Sequence, residues 1–403
     1  MSTNHDVVIV GGGLVGASLA IALQRIGVDC ALVEATAAGA PPAVFDQRNL
    51  SFAAATVNAL TALGVMARLR SATGPIRRIH VSRAGDFGRV TLDAADYDRP
   101  WFGQVVVARD FGLALEARLA ELPALARYRP ARFVRLGAVV DGRRPVVIAG
   151  DNGEQTLNAR LVVGCDGTAS SVRQAVGIGT LEQDYLQTLF VARARAERGP
   201  DGTAWERFTD SGPTALLPRG DRHYGLIHTV PRADAAAVAA LDDAAFLARA
   251  QAAIGWRAGR LLEVGPRSAY PLARVLAREL VAERVVLMGN AAQTIHPIGA
   301  QGFNLGLRDA LTLAELIEHD RNDPGSAGQL AAYVARRGPD REQTLAFSDG
   351  LARFTGNERP AARGLRSLGL LAASASGSLK ATLVGGAMGF RGEVPALCRE
   401  DAA

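Results

Sequence analysis

The stretch Val7-Val8-Ile9-Val10-Gly11-Gly12-Gly13-Leu14-Val15-Gly16 decides the fold of this chain. Its four β-branched residues predict a buried strand, and its glycines give G-x-G-x-x-G at the turn into an apolar helix. Gly11 permits the tight turn, Gly13 lets the backbone approach a pyrophosphate, and Gly16 lets helix and strand pack closely. A second strand ends at Glu34, about 20 residues on, where an acid can bind ribose hydroxyls. Together these elements predict a dinucleotide site rather than a plain glycine-rich turn.

Length and composition indicate two domains with an appendage. The chain has 403 residues, of which 48% are hydrophobic and 21% charged, which is typical of a globular protein. Its three cysteines are far apart, which predicts neither a disulfide framework nor a metal site and fits a reducing cytoplasm. The few residues before the first strand leave no room for a signal peptide, so we expect a cytoplasmic location. The net charge of +5 does not indicate nucleic acid, because Lys380 is the only lysine and acids separate the arginines.

Four further polar residues are candidates for contact with a nucleotide. Arg48 precedes a predicted helix, and it is either a solvated helix-start residue or a ligand of the cofactor phosphates or ribose. Arg109 lies near the start of a predicted amphipathic helix that follows a short strand. Asp166 directly follows an apolar strand and either caps the next helix through an Asx turn or lies beside a pyrophosphate. In the second interpretation, Arg173 lies near a second nucleotide.

In the middle of the chain, apolar and polar residues alternate, which predicts strands at 187–196, 204–209, 214–218 and 224–230. One alanine-rich helix, 242–254, interrupts them. Alternation of this kind predicts an antiparallel sheet with one packed face, which we assign to a second domain.

A loop rich in glycine and proline, 289–304, connects the buried strand 284–288 to a long helix. The helix carries an apolar stripe formed by Leu307, Leu311, Ala314 and Ile317. Loops between buried strands and helices are where α/β proteins place ligands. The first domain is therefore predicted to be discontinuous, because the chain leaves it twice and re-enters it twice.

The tail after residue 324 is predicted to be helical. Its uncharged runs, 367–379 and 381–390, are too short to span a bilayer, which takes about 20 apolar residues. Between residues 351 and 391 there are six basic residues and one acid, Glu358. Two interpretations stay open: the tail lies on an anionic membrane surface, or it packs on the body of the protein or on a partner subunit.

Three motifs now follow in order: Gly11–Gly16 with Glu34, then Asp166-Gly167, then the loop from Gly289-Asn290 to Asn304. Together they resemble the group A flavin-dependent aromatic hydroxylases, the p-hydroxybenzoate hydroxylase superfamily, over most of the chain. The run 289–309 looks most like the ubiquinone-biosynthesis hydroxylases, particularly 2-polyprenyl-6-methoxyphenol hydroxylase.

The chain departs from the superfamily pattern at two positions. Most relatives have an aspartate where this chain has Asn290, but an amide oxygen can accept the same hydrogen bond, and the asparagine fits the methoxyphenol branch. His228 lies in a strand where many relatives carry tryptophan, so substrate contacts there are not carried over.

The resemblance implies an α/β fold with a discontinuous, Rossmann-like FAD-binding domain, an antiparallel-sheet substrate domain and a helical C-terminal region. We place the FAD-binding domain at 1–73, 95–180 and 266–325. The substrate domain then comprises 74–94 and 181–265, and the C-terminal region is 326–403.

The resemblance also implies how FAD lies, extended across the three motifs. Its adenosine end is expected at Gly13 and Glu34, its ribityl chain at Gly289 and Asn290, and its isoalloxazine ring over the loop 297–304. A helix begins at about Gly302, Phe303 and Asn304. The backbone N–H groups at its N-terminus would stabilise the negative charge of reduced flavin.

The expected chemistry belongs to the cofactor. NAD(P)H visits a surface groove and reduces FAD, O2 adds at flavin C4a, and the hydroperoxide transfers OH to a phenol; no metal is expected. Candidate catalytic residues are His296, Pro297 and Gln301. His296 is either an acid or base or a residue that shapes the loop, and Pro297 helps to exclude water.

The expected substrate is a polyprenylated phenol, and the expected partners are subunits of a ubiquinone-biosynthesis complex and the inner face of the cytoplasmic membrane. An alternative is that the chain keeps FAD but serves as a structural member of such a complex. A hydroxylase of another aromatic substrate, or an oxidase or dehydrogenase of the same fold, is a further alternative.

Overall fold

The computed structural model describes residues 3–37, 48–355 and 377–399. Part of the polar link after Glu34 lies outside the described residues, as does the tail segment 356–376, which carries three of the six basic residues of 351–391 and the acid Glu358. The strands are β1 Thr3–Val10, β2 Cys30–Val33, β3 Asn49–Ala53, β4 Gly74–Ile76, β5 Arg78–Arg83, β6 Arg89–Asp93, β7 Gly103–Val107, β8 Ala126–Tyr128, β9 Ala131–Leu136, β10 Arg144–Gly150, β11 Gly153–Gly164, β12 Thr180–Ala196, β13 Thr203–Thr209, β14 Gly212–Pro218, β15 Tyr224–Pro231, β16 Leu261–Val264, β17 Ser268–Ala277, β18 Val281–Ala282, β19 Val285–Leu287 and β20 Gln293–Thr294. The α-helices are α1 Leu14–Arg25, α2 Ala54–Ala62, α3 Ala108–Ala120, α4 Ser171–Ala175, α5 Ala235–Ala239, α6 Asp243–Ile254, α7 Gln301–His319, α8 Ala327–Thr355 and α9 Gly377–Met388.

An eight-stranded sheet organises the cofactor-binding part of the chain. Its main path is β18-β19-β11-β1-β2-β8, with β10 and β9 added beyond β11. The four pairs β19–β11, β11–β1, β1–β2 and β2–β8 are all parallel. The apolar residues of 7–10 are buried in its centre, and α1 connects β1 to β2. The predicted α/β fold is confirmed.

A nine-stranded sheet forms the second layer, in the order β20-β17-β12-β15-β14-β13-β5-β6, with β16 beside β12. The prediction of an antiparallel sheet is wrong at one pair, because β13 and β5 run parallel. These two strands come from separate excursions of the chain, so no hairpin turn fixes their relative direction. The sheet also includes β17, which lies within the segment 266–325 that we predicted for FAD binding.

The two faces of this sheet have different environments. On one face, α6 packs Phe246 and Ala250 against Phe190, Leu216 and Leu226. The alternate residues of the same strands face the other way and line a cavity that lies between this sheet and the loop before α7. Side chains alternate along a strand, so each strand contributes to both faces.

A three-stranded sheet, β3-β7-β4, joins the two larger sheets. The substrate-domain segment that we predicted to begin at residue 74 therefore begins in this small sheet. β3 leads directly into α2, and β7 leads directly into α3.

The described part of the tail packs on the body of the protein. Val384 and Met388 of α9 are buried against Val90, Leu92 and Phe102. The backbone carbonyl of Cys398 accepts a hydrogen bond from Asn58 Nδ2 at 3.2 Å. None of the helices within the described ranges is long and apolar enough to cross a membrane.

Candidate functional site

The predicted cofactor residues come together because four parallel strands end at the same level. Gly11 N donates a hydrogen bond to the carbonyl of Val33 at 2.8 Å, which sets the end of β1 beside the end of β2. The amide of Cys165 donates to the carbonyl of Val10 at 2.8 Å, and that of Met288 to the carbonyl of Gly164 at 2.9 Å. Gly11, Glu34, Asp166 and Gly289 therefore follow four neighbouring strand ends, the edge at which doubly wound sheets bind nucleotides.

The three glycines of the first motif have separable roles. A Cβ on Gly11, whose φ is +104°, would lie 2.4 Å from the carbonyl oxygen of Cys165. A Cβ on Gly16 would lie 2.0 Å from the carbonyl oxygen of Gly11, so α1 can pack on β1 only with glycine there. At Gly13 a Cβ would meet no described atom within 4 Å. The first two glycines are required by the fold, and the third borders open space.

Two carboxylates at this edge already hold backbone amides. Glu34 accepts hydrogen bonds from the amides of Gly12 and Thr36, both at 2.7 Å. Asp166 accepts from the Ser170 hydroxyl and from the amide of Val172, at 3.1 Å for the latter. Asp166 thus supports the start of α4, but the N-cap of that helix is Ser170 and the described hydrogen bonds form no Asx turn at Asp166. The place of Asp166 beside a pyrophosphate stays a prediction. Asn290 is exposed at the same edge, and its carbonyl accepts from Thr294 Oγ1 at 3.4 Å.

Arg173 does not face a second nucleotide, so that interpretation is wrong. Its guanidinium is buried and donates to the carbonyls of Ala291 and Thr168, both at 2.8 Å. Arg48 stacks over the ring of Tyr270, 4.5 Å from its centroid, and so connects the segment before β3 to the nine-stranded sheet. Arg109 is exposed at the start of α3. The cofactor roles of Arg48 and Arg109 stay predictions.

The start of α7 is shaped for an anionic ligand by its backbone. Gly299 and Ala300 both have positive φ, +71° and +52°, and no side chain caps the first turn. A helix N-terminus without a cap leaves its first amides free to bind negative charge. Phe303 points into the core, with ring centroids 5.4 Å from Phe52 and 5.2 Å from Phe111.

Asn304 holds this helix start in place with its side chain. Its Oδ1 accepts from Ala53 N at 3.0 Å and Thr56 Oγ1 at 2.7 Å, and its Nδ2 donates to the carbonyls of Ser51 and Ala300. All four hydrogen-bonding positions of the amide are thus used within the protein. The contribution of Asn304 to a cofactor is therefore its backbone and its hold on the loop.

His296 shapes the loop before α7. Its Nδ1 accepts from the amide of Ile298 at 3.2 Å, and its ring packs edge-on against Tyr185 at 4.8 Å. Burial lowers its pKa to about 4, so it is neutral at physiological pH. Gln301 donates from Nε2 to the carbonyl of Gly299 at 3.0 Å. These bonds favour the loop-shaping interpretation of His296 over an acid or base.

A cavity of about 590 Å³ lies between this loop and the nine-stranded sheet. Pro297, Gly299, Ala300 and Gln301 line one side of it. The sheet lines the other with apolar side chains: Ile79, Val81, Val90, Leu92, Leu189, Ala204, Phe208, Ala215, Leu217 and Ile227. Such a volume and lining are typical of a binding site for an apolar small molecule. His228 lies on the opposite face of the sheet, where Nδ1 is 2.9 Å from Thr214 Oγ1.

Glu206, which was not among the site residues predicted from the sequence, also lines this cavity. In the sequence, Glu206 stands between Trp205 and Arg207, and this pattern gives no sign that its side chain is buried. Only the position of β13 in the sheet shows that Glu206 shares the cavity face with Ala204 and Phe208.

Comparisons with known proteins decide the family. The family model described as FAD binding domain matches residues 4–348. Ubiquinone hydroxylase UbiL of Rhodospirillum rubrum is 36% identical over 388 residues, which cover 95% of this chain and 89% of that protein. The 3-demethoxyubiquinol 3-hydroxylase of Escherichia coli K12 is 31% identical over 398 residues, which cover 96% and 98%. The chain belongs to the FAD-dependent monooxygenases.

The monooxygenase also shares its fold with a solved structure. The p-nitrophenol 4-monooxygenase PnpA of Pseudomonas putida DLL-E4 superposes with a TM-score of 0.79 over 98% of this chain and 100% of that one. Its sequence identity of 19% makes this a likeness of fold alone.

The residues of the monooxygenase fit FAD. Gly13 borders open space beside the N-terminus of α1, and Glu34 follows the end of β2, so both positions suit a dinucleotide. Their contacts with the pyrophosphate and the ribose hydroxyls stay predictions. The uncapped start of α7 suits the negative charge of reduced flavin, and it borders the cavity. We infer that the cofactor follows the carboxyl edge of the eight-stranded sheet towards the cavity.

Proposed function

We propose that this monooxygenase hydroxylates a polyprenylated phenol in ubiquinone biosynthesis, using NAD(P)H and O2. The observation that carries the proposal is the apolar cavity against the loop before α7. The relatives named as ubiquinone hydroxylases support the pathway, and the run 289–309 supports 2-polyprenyl-6-methoxyphenol as the substrate, with the 1,4-benzoquinol as product.

The protein contributes position and the exclusion of water. When bound and reduced, FAD supplies the activated oxygen that enters the ring. The loop 297–301 forms the cavity wall on the cofactor side, and the sheet face opposite holds an aromatic ring by apolar contact. Burial of a prenyl chain stabilises binding by about 0.8 kcal/mol per CH2 group. Removal of water from the cavity protects the reactive oxygen from being lost.

The substrate would come from a membrane, since a polyprenyl phenol is too apolar to diffuse through water. We propose that the protein acts at the inner face of the cytoplasmic membrane, with its C-terminal region in contact with lipid or with other subunits of the biosynthetic complex. The basic bias of residues 351–391 supports this role.

Quinone profiling of a deletion strain tests the proposed reaction. We expect a polyprenyl methoxyphenol to accumulate and ubiquinone to be lost, and we expect the wild-type gene to reverse both changes. Purified protein should oxidise NAD(P)H faster when a short-chain methoxyphenol is added. A purely structural FAD-binding subunit would restore ubiquinone without any substrate-stimulated oxidation of NAD(P)H, and that result would refute the proposal.

A further inference from the structure

Glu206 is an acidic side chain in an otherwise apolar wall. Of the described residues that line the cavity, only Glu206 and His296 are ionisable, and His296 is neutral and bonded to its own loop. The register of β13 sets Glu206 beside Val81 of β5 and Ala215 of β14, both of which line the cavity. The accessible surface of its carboxyl group therefore faces the cavity.

Nothing in the described part of the chain pairs with this carboxylate. Neither a hydrogen bond nor an ion pair holds it, and burial alone raises its pKa to about 7. A buried carboxyl group without a partner costs several kcal/mol unless it is protonated or finds one. A ligand bound in the cavity could supply this partner, because the carboxyl group faces the cavity.

Other charged groups near β13 are engaged elsewhere. Arg83, on the same face of β5, pairs with Asp210 and lies 3.8 Å from Asp86. His80 packs against Trp205 at 5.0 Å on the opposite face, which also carries Arg207 and is covered by α6. No cation therefore neutralises Glu206 within the described residues.

We propose that Glu206 binds the phenolic hydroxyl group of the substrate and acts as the general base that removes its proton. This inference rests on the proposed function and adds the residue that orients the ring. The phenol O–H bond breaks and an O–H bond to the carboxylate forms, while the electron pair stays on the phenol oxygen and enriches the ortho and para ring carbons. Glu206 returns the proton to the same oxygen when the hydroxylated ring regains aromaticity, as the ring carbon loses its own proton to water.

The pH dependence follows from the ionised form being the active one. Activity should fall as pH drops through about 7, because the carboxylate is then protonated. Glu206→Gln keeps the size of the side chain but removes the base. We expect kcat to fall by about 100-fold or more and the acidic limb of the kcat/KM profile to disappear. Glu263→Gln, which removes an exposed carboxylate from β16 of the same sheet, should change neither.

A substrate analogue separates this proposal from a structural role. The methyl ether of the phenol has no proton to give, so wild type and Glu206→Gln should turn it over at equally low rates. A Glu206→Gln enzyme that keeps the acidic limb and the preference for phenol over ether overturns the proposal. If wild type hydroxylates no phenol at all, the proposed function fails instead.

A stability measurement covers the case in which the variant loses activity through misfolding. The raised pKa of Glu206 means that the folded protein holds a proton that the unfolded chain releases between about pH 4.5 and 7. Wild type should therefore lose part of its stability as pH rises through this window, and Glu206→Gln should not. An unchanged pH dependence of unfolding would show that the carboxyl group is not isolated in the cavity.

Discussion

At the scale of single residues, the glycines of the first motif divide between the fold and the ligand. Gly16 contacts the backbone of Gly11, whereas Gly13 borders empty space. We expect Gly13→Val to fold but to bind no flavin, because its side chain fills the place of the pyrophosphate. Gly16→Val should fail to fold. Circular dichroism and flavin absorbance measure both effects, and stoichiometric flavin in Gly13→Val would show that the pyrophosphate lies elsewhere.

At the scale of elements, α7 and α8 are joined by a buried network of charges. Arg337 Nε donates to Asp309 at 2.7 Å, and Arg308 Nε donates to Asp340 at 2.7 Å. Asp309 also accepts from Gln293 at 2.7 Å, so the network reaches the loop that follows β19. The long helix α8 therefore supports this loop through buried side chains.

Removal of one member of this network should be costly. We expect Arg337→Met to lower the free energy of unfolding by about 3–5 kcal/mol, since it leaves the buried carboxylate of Asp309 without its cation, whereas Asp340 keeps Arg308. Arg195→Met, which removes an exposed ion pair with Glu263, should cost less than about 1 kcal/mol. Urea unfolding of both variants checks the contrast. Equal costs would mean that water reaches the network.

Helix α9 closes the cavity as well as packing on the body. Leu383 lines the cavity, whereas Ala381 on the same helix is exposed. We expect Leu383→Ser to admit water and to raise the fraction of NAD(P)H oxidised without hydroxylated product. Ala381→Ser is the matched control and should leave that fraction unchanged. The ratio of H2O2 to hydroxylated product measures this uncoupled fraction. An unaltered ratio in Leu383→Ser would show that α9 does not keep water out of the cavity.

At the scale of the whole molecule, buried histidines set the response to acid. Burial lowers the pKa of His80, His228 and His296 to about 4 each, with nearby arginines adding to the effect at the first two. The unfolded chain binds these protons below about pH 6.5, whereas the folded protein does not until about pH 4. Each histidine therefore removes stability as pH falls through that window.

Glu206 acts in the opposite direction, so near pH 5.5 unfolding should take up roughly two net protons. As pH falls through this range, the free energy of unfolding should therefore decrease by about 1.4 kcal/mol per pH unit for each net proton. The pH dependence of the urea midpoint measures this slope. Replacement of His228 by Asn should reduce it by one proton, and a slope unchanged by that replacement would mean that His228 is charged in the folded protein.

The parts predictable from the sequence are those that depend on local pattern. G-x-G-x-x-G, the acid after β2 and the loop after β19 each follow a buried strand, and parallel strands bring their ends together. The environment of Glu206 was not predictable, because the cavity opposite it is closed by residues 297–301 and by α9, which lie far along the chain. The same holds for the Asn304 amide, whose partners Ser51, Ala53 and Thr56 are distant in sequence.

The central place of β1 in the eight-stranded sheet has a consequence for synthesis of the chain. β1 is made first, yet one of its edges pairs with β11, which begins only at Gly153. At 5–20 residues per second, that apolar edge waits on the order of ten seconds for its partner. An unpaired edge is a site of wrong association, and the flavin pocket is complete only once the ribosome has passed α7. The cofactor can therefore stabilise the finished protein but cannot cover the apolar edge of β1 in the nascent chain during that interval.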